Sequence, residues 1–266
     1  MPSPLTDTQE MRLDFLGIGS QKSGTTSLNA YLRDHPQIRL IGGEAHFFDN
    51  EKDPWPPPNW DSYHSRVPAA DDNQGGVPVR GEITPIYLYW QPCLERIRDY
   101  NPEIRLILLL RNPVDRAYSH WAMETRAGKE SLGFSEAIRS EDERLDQSPQ
   151  KQHRVYSYAA RGLYHAQLER LLQLFSRKQL LIIKSEEFFR NPERAMGEVH
   201  QFLNVQTVAT ANKHHCRPGH YSSPMGKDDW YYLYTKLGSD IEKLEALLGW
   251  DCSDWKRPNR ELAGNG

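Results

Sequence analysis

Leu13-Asp14-Phe15-Leu16-Gly17-Ile18-Gly19-Ser20-Gln21-Lys22-Ser23-Gly24-Thr25-Thr26-Ser27 decides how the chain folds. A largely apolar run, Leu13 to Ile18, ends at Gly19. Lys22, Gly24 and the hydroxyls of Ser23, Thr25, Thr26 and Ser27 follow, and Leu28, Tyr31 and Leu32 then recur at helical spacing. The order predicts a strand, a tight loop and a helix N-terminus. Such a junction aims backbone N–H groups and the positive end of a helix dipole at an anion. Lys22 adds a compact charge, and the hydroxyls add donors without bulk. The stretch reads as a phosphate cradle.

Outward from it, a helix runs to about Asp34, stopped before Pro36, and Ile38 to Ile41 is a short strand. Gly42-Gly43-Glu44-Ala45-His46-Phe47-Phe48-Asp49 is a loop at that strand's end. Residues 51–80, rich in Pro, Gly, Asp and Asn, predict an irregular insertion carrying Trp55 and Trp60. Gly81 to Pro85 reads as a turn, and Tyr87 to Arg98 as partly helical. Ile104 to Leu110, Ile-Arg-Leu-Ile-Leu-Leu-Leu, is the most apolar stretch of the chain, as suits a central parallel strand buried on both faces. Arg111-Asn112-Pro113 ends it, with Pro113 in the first turn of a helix that carries Arg116, Ser119, His120 and Trp121. Helices are predicted over Phe134–Leu145, Tyr156–Phe175, Met196–Leu203 and Trp230–Leu248, and a strand over Leu180–Lys184. The alternation predicts an α/β single domain with a central parallel sheet flanked by helices, P-loop-like at its first strand, loop and helix.

A net charge of −3 supplies no global basic field for nucleic acid, so any anion site is local. Cys93, Cys216 and Cys252 are too scattered for a disulfide framework or a zinc site. The polar start lacks a signal-peptide core, and no apolar run approaches the ~20 residues needed to span a bilayer. The expectation is a soluble, cytoplasmic chain. Aromatics gather at 47–64, 87–90 and 230–234, where they line a pocket or fill core.

A kinase or nucleotide hydrolase would show Gly-x-x-x-x-Gly-Lys-Ser/Thr. Here Gln21 stands before Lys22, and Leu16 stands where the first glycine belongs. Such enzymes also want an Asp at the end of the buried strand to help hold magnesium. This chain puts Arg111 there, which suits a phosphate recognised directly, without metal. Arg111 and Ser119 could close on one phosphate; the plain alternative is that Arg111 makes a structural ion pair.

Gln21-Lys22-Ser23-Gly24-Thr25-Thr26-Ser27 resembles the 5′-phosphosulfate loop of the sulfotransferase family. Arg111-Asn112-Pro113-x-x-Arg116-Ala117-Tyr118-Ser119-His120 resembles its 3′-phosphate motif. With Glu44-x-His46-Phe47-Phe48-Asp49, the likeness is to the heparan sulfate and bacterial branch. It spans roughly 13–250, a sulfotransferase domain between tails at 1–12 and 251–266, with 51–80 on the acceptor side.

The resemblance implies the donor 3′-phosphoadenosine 5′-phosphosulfate (PAPS), with adenosine 3′,5′-bisphosphate (PAP) as product and no metal. Transfer is to a hydroxyl or amine of a small-molecule, carrier-bound or glycan acceptor, by in-line displacement. By position, Lys22 contacts the 5′-phosphate and bridging oxygen, with Gln21, Ser23, Gly24, Thr25, Thr26 and Ser27 around the phosphate. Arg111 and Ser119 hold the 3′-phosphate. Tyr164 falls in a segment resembling the adenosine contact, and Arg217, Gly219, His220 and Tyr221 fall where the family has a loop over the donor. Glu44 is the candidate base and His46 its rival, each with a plainer reading as a solvated or packed side chain. Phe48, Trp55, Glu82 and Tyr87 are candidate acceptor contacts. Gly43 and Ile83 stand where heparan-type enzymes carry lysines, which points to a less anionic acceptor. The alternatives are an ATP-dependent small-molecule kinase and a non-catalytic nucleotide-binding module.

Overall fold

The computed structural model describes residues 12–51, 58–69, 78–210 and 224–258. Their backbone forms one five-stranded sheet with helices around it. The strands are β1 (Phe15–Gly19), β2 (Ile38–Leu40), β3 (Val79–Ile83), β4 (Arg105–Leu110) and β5 (Leu180–Lys184), in the order β2-β3-β1-β4-β5. The sheet is parallel, as the sequence predicts; in register, Phe15 stands beside Gly81 on one side and Arg105 on the other. β1 is wholly buried, and its register with β4 shifts between Gly17 and Gly19. A bulge of this kind bends a strand and redirects the chain that leaves it.

The residues fall into two compact units. The first takes in 12–20, 24–109 and 172–210, with the sheet up to Leu109. Its core joins Phe15, Ile107, Leu109 and Ile183 to one face of α1 (Thr25–Arg33), through Leu28, Tyr31 and Leu32, and to α8 (Ser185–Arg190) and α9 (Pro192–Leu203). α2 (Trp60–His64) and α3 (Cys93–Tyr100) complete it. The second unit holds 21–23, 110–171 and 224–258. There α10 (Lys227–Leu248) packs on α4 (Pro113–Arg126) and α5 (Phe134–Arg139), with α6 (Glu141–Asp146) beside α5. Asn112 caps α4, accepting from the Val114 amide at 3.0 Å, and Pro113 takes the first turn as expected.

Several boundaries differ from the sequence reading. Residues 81–83, read as a turn, belong to β3, which pairs with both β2 and β1. The 51–80 stretch is not wholly irregular, since it holds α2 and the start of β3. The helix expected from Tyr87 begins at Cys93, after Pro92, and the one expected over 134–145 breaks at Ser140. The helix expected from Tyr156 is α7 (Tyr164–Leu174). Before it, the buried Glu141 carboxylate takes the Ala159 and Ala160 amides at 2.7 and 2.9 Å, which stabilises a non-helical path.

Gly81 is where β3 has no room for a side chain. A Cβ there meets the Phe15 ring at 2.4 Å. Gly81→Ala is expected to cost about 1–3 kcal/mol by overpacking. A urea titration would show a lower midpoint with an unchanged slope.

Candidate functional site

In the first unit, β2 ends at Leu40 and leads into the 42–49 loop, where Gly43 (φ 69°) and His46 (φ 50°) both take the left-handed region. The turn brings three side chains together. His46 Nδ1 lies 2.8 Å from Asp49 Oδ2, and His46 Nε2 lies 3.2 Å from Glu44 Oε2. Asp49 is fully buried, whereas the Glu44 and His46 side chains keep about half their exposure (48% and 49%). An imidazole clamped between two carboxylates is held protonated. The hydrogen bond to Asp49, then that to Glu44, pushes the His46 pKa up to about 9. The pairing therefore stabilises the fold fully below pH 6.5, and its contribution is lost as pH rises through about 9. Solvent screening at this exposure keeps it to about 1 kcal/mol or less.

The loop is held through its backbone. Thr84 Oγ1 accepts from the Ala45 amide at 2.9 Å, and Tyr87 Oη accepts from the Phe47 and Phe48 amides at 2.9 and 3.4 Å. Arg66 donates to the Ala45 carbonyl at 3.0 Å, and Arg96 to the carbonyls of Phe48 and Asn50 at 2.7 and 2.9 Å. Phe47 stacks on Tyr63 with ring centroids 4.2 Å apart, and Phe48 meets Tyr87 edge-on. Phe48, Glu82 and Tyr87, expected at an acceptor surface, are all 0% exposed and belong to this packing. Also in this unit, Gly24 (φ 98°) opens α1 with no side chain capping it, so the first-turn amides are offered to a ligand. Thr25 and Ser27 are buried there, and Thr26 is exposed.

In the second unit, cations converge on Lys22. Its pKa is lowered by burial first, and then by Arg126, Arg111 and Arg116; Glu124 opposes them. Arg111 donates to the Lys22 carbonyl at 3.3 Å, and the buried Tyr164 hydroxyl donates to the Arg111 carbonyl at 3.0 Å. Tyr164 thus fixes the residue that follows β4. The Arg161 guanidinium reaches the Gln21 side-chain oxygen and the Arg154 carbonyl, the latter at 2.7 Å. Ser119 and His120 are buried on α4. Burial, then Arg161, Arg116 and Lys22, hold the His120 pKa well below its usual value, so this imidazole stays neutral. The cluster suits an anion with more than one phosphate.

The structure brings Lys22 and Arg111 together, and it pairs Glu44 with His46, which the sequence offers as rival bases. It adds Asp49, whose spacing of three from His46 was the available signal, and Arg161, which follows from no spacing rule. Trp55, Arg217, Gly219, His220 and Tyr221 lie outside the described residues. Among the described residues no group of three or more His, Cys, Asp or Glu could hold a metal ion, and no helix is long and apolar enough to cross a membrane.

Residues 12–224 match the family model described as the sulfotransferase domain. The chain is 31% identical over 205 residues to mouse heparan sulfate glucosamine 3-O-sulfotransferase 6, covering 74% of this chain and 53% of the mouse protein. It spans about half the length of the curated relatives it matches. A crystal structure of a sulfotransferase from Alicyclobacillus acidocaldarius superposes with a TM-score of 0.76 at 32% identity, over 92% of this chain and 99% of that one. The sulfotransferase domain from the curacin biosynthetic pathway shares the fold, at a TM-score of 0.51 and 13% identity, over 85% of this chain and 97% of that domain. With its phosphate-type loop after β1, its arginine after β4 and a domain match over most of its length, the chain belongs to the sulfotransferase family.

Proposed function

We propose that the protein transfers a sulfuryl group from PAPS to an acceptor hydroxyl or amine by in-line displacement. The observation that carries this reading is the set of arginines around Lys22, which adds to burial in depressing the lysine's pKa and is complementary to a polyanionic nucleotide. PAPS supplies an activated sulfuryl group whose bond to the bridging phosphate oxygen breaks as the bond to the acceptor oxygen forms. Lys22 stabilises the charge that develops on that phosphate oxygen. The α1 amides from Gly24 to Thr26 take the 5′-phosphate, and Arg111 with Ser119 takes the 3′-phosphate. Glu44 accepts the acceptor's proton, and His46, protonated on both nitrogens, orients it. No metal has a role, because the chain's own cations neutralise the leaving phosphate.

The relatives' names point to a glycan acceptor. Two positions argue for one of lower charge: Gly43 is exposed in the loop without a cationic side chain, and Ile83 is 3% exposed.

Thermal shift distinguishes this reading from a kinase. PAP without magnesium, at about 100 times its dissociation constant, is expected to stabilise by ~2.7 kcal/mol, a rise of roughly 5–10 °C. ATP with magnesium is expected to give a smaller shift. The reverse preference would sink the assignment of PAPS.

A further inference from the structure

Glu82 is an unusual residue to find in the middle of a parallel sheet. It sits on β3 beside Leu16 of β1 and has 0% exposure. Its Oε2 accepts from the Tyr63 hydroxyl at 2.7 Å, while Oε1 has no hydrogen-bond partner. The hydroxyls of Tyr87 and Thr84 also face the carboxyl, and Arg66 is the cation that acts on it. Burial dominates and pushes its pKa up to about 7. A buried carboxyl of this kind costs stability unless its neighbours compensate. With no exposed surface of its own, it does not touch an acceptor.

The two hydroxyls facing Glu82 are the two that grip the 42–49 loop. Tyr87 Oη accepts from the Phe47 amide, and Thr84 Oγ1 from the Ala45 amide, both at 2.9 Å. A hydroxyl has one proton. Each spends its acceptor side on a loop amide, which leaves its proton able to turn toward the neighbouring Glu82 carboxyl, where Oε1 is open. A carboxylate that takes both protons would hold both hydroxyls as acceptors. Ala45 and Phe47 flank His46, so these two amides set where the imidazole stands between Glu44 and Asp49. Arg66 and Arg96 also hold loop carbonyls.

We propose that Glu82, acting through the hydroxyls of Tyr87 and Thr84, is a positioning residue that fixes the Glu44–His46–Asp49 geometry. The proposal deepens the reading of Glu44 as base, but its geometric content stands without it. It also separates Glu82 from Tyr63. Tyr63 donates to the same carboxyl and contacts the loop only by ring stacking, so its hydroxyl is dispensable for the triad.

The test reads the His46 ring by NMR titration, with no donor, acceptor or turnover. In the wild-type protein the midpoint is expected near 9. In Tyr87→Phe, which keeps the ring, and in Glu82→Gln, it is expected to fall by a unit or more toward 6.5, because the clamp loosens. In Tyr63→Phe it is expected to stay within a few tenths. Thermal melts confirm that each variant titrated is folded, and Thr84→Val serves as a second loop-side variant should Glu82→Gln fail to fold. A His46 midpoint unmoved in folded Tyr87→Phe and Thr84→Val overturns the proposal, as does an equal fall in Tyr63→Phe, which marks general loosening. A failure of the sulfotransfer reading would show in the PAP thermal shift and leave this titration untouched.

Discussion

Glu44→Gln is expected to lower kcat about 10²–10⁴-fold, the contribution of a positioned general base. The dissociation constant for PAP is expected to stay within about twofold, since the residues assigned to the donor lie elsewhere in the chain. The choice between Glu44 and His46 follows from the clamp. A base needs a free lone pair. His46 directs Nδ1 at Asp49 and Nε2 at Glu44, and its pKa of about 9 keeps both nitrogens protonated at neutral pH. Glu44 has a second oxygen and an exposed side chain. The pH profile carries the same distinction. With His46 as base, kcat/KM would rise as an ordinary imidazole loses its proton near pH 6.5. With a charged His46 orienting Glu44, the rate is flat there and declines as pH rises through about 9. Glu44→Gln that turns over near the wild-type rate, together with a rise through 6.5, would move the base role to His46.

What the sequence reveals depends on how each segment is buried. β1 and β4 are legible because a strand covered on both faces must be apolar along its buried length, and Leu106 to Leu110 is. β3 lies between β2 and β1 yet reads Val-Arg-Gly-Glu-Ile. Its glycine is demanded by the Phe15 ring, and its glutamate accepts from the Tyr63 hydroxyl, with those of Tyr87 and Thr84 nearby. Tyr63 is 19 residues from Glu82, so no local pattern announces it. The same reason hides the start of α7, where Glu141 diverts the chain. In the candidate site, Lys22 and Arg111 are legible from residue type alone, as cations after the first strand and after the most apolar one. His46 is legible as a candidate, but not its pairing with Asp49 or the consequence, that the imidazole is a cation. Phe48 and Tyr87 show the limit most plainly. Aromatic residues beside a catalytic motif suit a pocket or a core equally well, and Phe48 is covered by Trp60 and Tyr63 of α2, which the proline-rich surroundings conceal.

Lys22→Met is expected to act in opposite directions on function and on stability. Turnover should fall about 10²–10³-fold, the scale for losing one electrostatic contact to a developing charge, and PAP should bind more weakly. The nucleotide-free protein should melt a few degrees higher, where about 1 kcal/mol corresponds to roughly 2–4 °C at this size. The reason is the company Lys22 keeps. Burial and the charges of Arg126, Arg111 and Arg116 all disfavour its ammonium, and Glu124 only partly offsets them. Its folded pKa lies below 10.5, so the unfolded chain holds the proton more tightly. The charged lysine therefore costs stability at every pH below its folded pKa, and the cost fades as pH rises toward 10.5. Methionine has a similar reach, has no charge and carries the same left-handed backbone (φ 71°), so strain is common to both proteins. The gain in melting temperature should accordingly be largest near neutral pH and shrink as pH rises toward 10.5. A bound polyanion should reverse the order, raising the wild type above the variant. A variant that melts lower than wild type without nucleotide would show that Lys22 is held by partners that stabilise it, and would remove the electrostatic strain on which its assignment as a phosphate ligand rests.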